Sequence, residues 1–214
     1  VISWFGLSCF RLQMKSGTDV ALVTDPFDPG KTGLRLPRNL GADIVTVSSH
    51  GALHGHTSAV SGSENGKPFV VSGPGEYEVK GVFVTGVSSG ARSRITLYRI
   101  VAEEMRVVHM GALAEPLTAE EIDRLGDVDV LLVSVAGAGD FGPKQMAGVV
   151  AAIEPRVVIP MQYEIPGLAI SLPKPDAFLK ELGSPKGAPE EKVRLLRKDL
   201  PEGETRVIML KAGG

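Results

Sequence analysis

Ala42-Asp43-Ile44-Val45-Thr46-Val47-Ser48-Ser49-His50-Gly51-Ala52-Leu53-His54-Gly55-His56 is the stretch around which the rest of the chain is read. Its first six residues are mostly apolar and β-branched, the pattern of a buried strand, and serine and glycine then end the run in a loop. Three of the four histidines of the 214-residue chain fall within seven positions of that loop. Imidazole nitrogen is the commonest protein ligand of zinc-like metals, and a loop at a strand end lets closely spaced side chains converge. His50, His54 and His56 are therefore the candidate metal ligands.

Upstream, residues 2–6 and 8–14 read as two strands around a tight glycine turn. Ser16-Gly17-Thr18-Asp19 is a hairpin turn, and residues 20–24 form a third strand ending at Asp25-Pro26-Phe27-Asp28-Pro29-Gly30. Asp25 has two readings: a carboxylate supporting a metal site from behind, or an ordinary turn starter before proline. Residues 31–39 show no periodicity and are expected to be loop.

Downstream, residues 68–71 are a strand, and the breakers of Ser72-Gly73-Pro74-Gly75 bend the chain into a half-exposed strand over 76–79. Further antiparallel strands are expected over 82–87, 94–101 and 105–110, the last carrying His109. The pattern then changes. Thr118-Ala119-Glu120-Glu121 is a capping box opening a helix to about residue 125, and residues 128–135 suit a strand buried on both faces. Pro143 opens a helix reaching 153, residues 156–160 form a strand followed by Met161-Gln162-Tyr163, and residues 175–182 form a short helix. Residues 192–198 suggest a basic helix face, and residues 206–210 a closing strand. With no compositional boundary between the halves, the expectation is a single α/β domain over 1–214, two mixed sheets packed face to face with helices outside.

Composition narrows the function classes. A net charge of −2, with 5% aromatic residues and scattered Lys and Arg, offers neither the basic field nor the stacking platforms of a nucleic-acid binder. The apolar runs are of strand length, so no membrane span is expected, and no leader pattern opens the chain, so a cytoplasmic protein is the default. The lone Cys9 lies in an apolar strand pattern and reads as a core residue.

The order of motifs resembles the metallo-β-lactamase fold. It is most similar to the short bacterial metal-dependent hydrolases related to the ascorbate-phosphate lactonase branch. Ile2-Ser3-Trp4-Phe5-Gly6, Asp25-Pro26-Phe27, the strand leading to His50, and above all Ser72-Gly73-Pro74-Gly75-Glu76-Tyr77-Glu78-Val79 carry the likeness. Val107-Val108-His109-Met110-Gly111 and the late strands over 128–135 and 157–163 extend it over nearly the whole chain.

The resemblance implies a His-x-His-x-Asp-His loop, and here the chain departs from it. Without a gap from His50, Ala52 stands for the second histidine, His54 for the aspartate and Gly55 for the last histidine; with one inserted residue, His56 takes that last place. The histidine expected in Ser88-Ser89-Gly90 is missing, Ala112 stands for the metal-bridging aspartate, and Gln162 for the final histidine. Asp25, His109, Ala112 and Gln162 are thus expected as vestigial or cavity-lining residues.

Alanine and glycine supply no ligand and a glutamine amide only a weak neutral one, whereas catalytic zinc usually has three strong protein ligands. The leading expectation is therefore a family member without catalysis that binds a small molecule or a partner. The alternative is a phosphoester or lactone hydrolase with one zinc or manganese ion on His50, His54 and His56. Homo-oligomerisation is expected from the resemblance.

Overall fold

The computed structural model describes residues 1–63, 66–90, 94–137, 139–184 and 187–213. Parts of the segments over 88–93, 137–142 and 183–189, which link the strands and helices expected on either side, lie outside the described residues. Strands β1 (Ile2–Gly6), β2 (Cys9–Ser16) and β3 (Thr18–Thr24) form an antiparallel meander, and β4 (Gly41–Ala42) leads into β5 (Ile44–Thr46). After β6 (Ser61–Gly62), which pairs with β4, strand β7 (Phe69–Val71) pairs parallel to β5. The first sheet thus has the order β1-β2-β3-β5-β7.

The second sheet begins with β8 (Gly75–Val79), β9 (Val82–Ser89), β10 (Ile95–Ala102) and β11 (Met105–His109), all antiparallel neighbours. Parallel strands β12 (Val130–Ser134), β13 (Val157–Met161) and β14 (Arg206–Val207) complete the order β14-β13-β12-β11-β10-β9-β8. Both sheets are therefore mixed.

Period-two alternation sorts the side chains into two apolar layers. Phe10 and Leu22 join Trp4, Leu12 and Ile44 in a cluster shared with Leu97, Ile100, Val108 and Leu132 of the second sheet. Their neighbours Cys9 and Val23 face the other way, into a smaller cluster with Phe27, Leu34, Leu40, Val45 and Val60. All five residues of β12 are buried, as its unbroken apolar run predicts.

Helix α2 (Ala119–Leu125) is opened by the capping box, with Thr118 Oγ1 accepting from Glu121 N at 3.2 Å and Glu121 Oε2 accepting from Thr118 N at 2.6 Å. Helix α3 (Pro143–Ile153) buries Met146, Val149, Val150 and Ile153, an i, i+3, i+4, i+7 stripe, and packs beside α4 (Asp176–Glu181).

Three expectations are corrected. The segment read as loop from residue 31 opens inside a one-turn helix, α1 (Pro29–Thr32), because Asp28 caps Gly30 N at 2.9 Å and Gly33 closes it with a φ of 74°. Residues 192–198 are not a helix face: Val193 bridges Ile2, and only Arg197–Asp199 turns as a 3-10 helix. Regular pairing in the closing strand stops at Val207. No helix among the described residues is long and apolar enough to cross a membrane.

Candidate functional site

The polar residues of interest sit just beyond the carboxyl ends of the strands. Asp25 follows β3, Ser48 follows β5, His109 ends β11, Ser134 ends β12 and Gln162 follows β13; Ser8 lies in the β1–β2 turn. Two of these positions are held in a left-handed backbone conformation, Asp25 at φ 39° and Gln162 at φ 56°. Such geometry costs a non-glycine residue energy, and it persists only where the surroundings over-determine it. At Asp25 they do: its amide donates to Thr46 O at 2.8 Å, and the side chain turns fully inward.

Three donors converge on the Asp25 carboxylate. Ser48 N donates to Oδ1 at 2.6 Å, while the Ser48 hydroxyl and His54 Nδ1, at 2.9 Å, both donate to Oδ2. The loop carrying His54 is pinned down by backbone bonds from Asp28 N to Ala52 O and from His56 N to Pro26 O, both 2.7 Å. That seam tucks His54 under the loop and leaves His50 exposed above it, with His56 half-buried between. Gly111 makes room for Ser48: a Cβ there would come within 2.5 Å of the serine hydroxyl oxygen.

A second set of bonds runs from Ser8. Its carbonyl accepts from Thr24 Oγ1 at 2.7 Å and from His109 Nε2 at 2.9 Å, and its hydroxyl accepts from Gln162 Nε2. Ser134 donates back to Gln162 Oε1 at 2.6 Å, so the glutamine amide is bracketed on both sides. His109 Nε2 also lies 4.0 Å from Asp25 Oδ2, which brings the two sets together at one place in the interior. Because Nε2 carries the proton, Nδ1 of His109 is an acceptor, and it has no partner among the described residues.

Burial shapes the titration of this cluster. It pushes His109 below the ordinary histidine value of 6.5, an effect the neighbouring Asp25 charge opposes without reversing. Burial, reinforced by Asp25, pushes the Cys9 thiol up, so Cys9 is kept as an apolar core residue and not as a thiolate. The unfolded chain takes up a proton at His109 as pH falls through 6.5, while the folded chain resists it. The stability contributed by neutral His109 is thus complete above that pH and declines below it. Chemical denaturation from about pH 8 to about pH 5 should show stability falling on acidification, with a shallower slope in His109→Gln.

Asp25, His54, His109 and Gln162 are brought together. His50 is exposed and His56 half-buried, and neither is hydrogen-bonded to them; Ala112 is half-buried, with no side-chain donor to offer. Among the described residues, no group of three or more His, Cys, Asp or Glu side chains is arranged to hold a metal ion. Sequence reasoning did not single out Ser8 or Ser134, whose only signals are their places at a strand turn and a strand end.

Two facing mixed sheets with polar residues gathered at their strand ends define a metallo-β-lactamase-like scaffold. The model of the Beta-lactamase superfamily domain matches residues 1–162, and the chain belongs to that family. A UPF0173 metal-dependent hydrolase of Methanopyrus kandleri is 26% identical, over 76% of this chain and 83% of its own. A Thermotoga maritima structure described as a candidate Zn-dependent hydrolase of the metallo-beta-lactamase superfamily superposes with a TM-score of 0.77. It is 33% identical, covering 98% of this chain and 97% of its own. The metallo hydrolase Igni18 of Ignicoccus hospitalis, 18% identical with a TM-score of 0.61 over 85% of this chain and 89% of its own, shares the fold.

Proposed function

We propose that this chain is a superfamily member whose strand-end donors satisfy one another in place of a metal, and that it acts by binding a small molecule or a partner and not by hydrolysis. The observation that carries this reading is the Asp25 carboxylate, both of whose oxygens are taken by Ser48 and His54. A metal-binding carboxylate must present a lone pair to the ion, and a metal-binding imidazole an unprotonated nitrogen. Here Nδ1 of His54 donates to Asp25, which leaves Nε2 as its one acceptor nitrogen, and the position after β13 holds a neutral amide already bonded to Ser8 and Ser134, short of the three strong ligands that a catalytic zinc usually has. On the same reading the chain is one folding unit, supported by an apolar cluster running from Ile2 to Leu210.

Relatives described as metal-dependent or Zn-dependent hydrolases favour the opposite reading, a metal-dependent hydrolase; in this chain its one zinc or manganese ion would sit on His50, His54 and His56. Metal per chain separates the two. Protein purified without a histidine tag, and a second sample loaded with zinc and manganese and then desalted, should both carry far less than one equivalent. Neither should hydrolyse phosphodiesters or lactones. One tightly held equivalent that disappears in His50→Ala would overturn the proposal.

A further inference from the structure

A strand at the end of a sheet offers unpaired N–H and C=O groups with which another chain can pair, and stable proteins cover or charge such edges. Three of the four ends of the two large sheets are treated in this way. β1 is met by Val193, with Ile2 N donating to Val193 O at 2.8 Å, and by Gly213, whose amide donates to Trp4 O at 2.9 Å. β14 is only two residues long and carries Arg206, ion-paired with Glu190 at 3.9 Å. β8 exposes Glu76 and Glu78. The fourth end, β7, has no such guard among the described residues. Its Phe69 and Val70 are 49% and 42% exposed, two of the four large apolar side chains left in the open among those residues.

Pairing with β5 sets the direction of the free groups. Phe69 N donates to Asp43 O and Val71 O accepts from Val47 N, both at 2.8 Å, so these two residues bond inward. Successive residues of a strand turn their main-chain groups to opposite sides, so the N–H and C=O of Val70 both face out from the edge. The Phe69 ring leans on Tyr77, with centroids 6.3 Å apart, which ties the strand to the second sheet.

We propose that β7 is the surface through which two copies of this chain associate, antiparallel about a two-fold axis at Val70. A residue on such an axis meets itself, so Val70 of each copy donates to and accepts from Val70 of the other. Pro68 has no N–H to give, which bars the register from sliding toward the start of the strand. The charges are reciprocal as well. Lys67 leads into β7 and Glu76 follows the bend beyond it, so antiparallel pairing sets Lys67 of each copy at the end where Glu76 of the other stands. An extended segment of an unrelated protein would need neither the symmetry nor the reciprocal charges. The acidic edge of β8 keeps the second sheets from joining, which confines the seam to the first. So short a seam falls below the standard interface size, and a dissociation constant of roughly 10–100 µM is expected.

Sedimentation of the full chain, without a tag, over about 5 to about 500 µM tests this. A rise in mass that saturates at two chains is expected. Val70→Lys places two like charges face to face on the axis and should weaken association roughly tenfold or more. If that variant fails to fold, Phe69→Lys, also at a half-exposed position, takes its place with the same direction of effect. Val70→Cys reads the position of the axis. Facing Cα atoms of a hydrogen-bonded pair lie about 5.5 Å apart, within disulfide range, so this variant should cross-link to itself under mild oxidation. Glu78→Cys, on the guarded edge, should not, and the native Cys9 is buried and adds no background. Four results would overturn the proposal: assembly beyond two chains, a dimer that the folded lysine variants leave unchanged, no more cross-linking at Val70→Cys than at Glu78→Cys, or a monomer at every concentration. The last of these would leave the edge to an extended segment of another protein.

Discussion

Asp25→Ala is expected to lower the free energy of unfolding by about 3–5 kcal/mol, the cost of breaking a buried, paired charge from one side. The carboxylate is fully buried, and its removal leaves the Ser48 amide, the Ser48 hydroxyl and His54 Nδ1–H, all on buried residues, without their acceptor. Asp25→Asn should cost less but still be large. Its amide can keep one acceptor oxygen, yet its NH2 group would face donors where an acceptor is needed. His54→Ala, which leaves the carboxylate two of its three donors, should cost least. Urea denaturation of the three variants gives the ranking, and a loss below about 1 kcal/mol for Asp25→Ala would remove Asp25 from the centre of the site. Were the carboxylate a metal ligand, added zinc would raise the unfolding midpoint of the parent protein, since a ligand that binds only the folded state stabilises it. No such rise is expected.

Trp4→Ala should destabilise by a similar amount, about 3–5 kcal/mol, through the cavity it leaves. Trp4 is 1% exposed, with ring centroids 6.2 Å from Phe10 and 4.9 Å from Tyr163, so its loss opens a void between the first strand and the chain after β13. Its indole N–H also donates to Leu7 O at 2.9 Å, and Leu7 O accepts in turn from Gln162 N. The turn that presents Ser8 therefore leans on Trp4, and the variant should loosen the Gln162 end of the network as well as the core. Thermal unfolding, with hydrogen exchange at Gln162 as the local readout, separates the two effects. A midpoint close to that of the parent would show that the neighbouring side chains collapse into the void.

The scaffold was legible because its cues are local. Alternation at Phe10 and Leu22, the capping box at Thr118 and the unbroken run through β12 each declare their element within a few residues. The short helix at Pro29 carries a cap, a proline and a closing glycine, but four residues show no periodicity to declare it. The site was legible only in part. His54 could be singled out as a histidine in a loop, but its partner Asp25 is 29 positions away and reads equally well as a turn starter. Ser8 and Ser134 resemble many other serines until the fold sets them on either side of Gln162. What a hydrogen bond requires is an angle and a distance across sheets, and neither leaves a trace in spacing along the chain.

The pairing of the first strand sets a timetable. One edge of β1 is met at once by β2, but Ile2 also bridges Val193, Trp4 bridges Ala212, and Gly213 N donates to Trp4 O at 2.9 Å. Those partners leave the ribosome some 200 residues after the strand they complete, roughly ten to forty seconds later at common rates of synthesis. Through that interval Trp4 waits with one flank unmade, and the first strand stays open to chaperones, proteases and its own neighbours until the segment around Ala212 has been made.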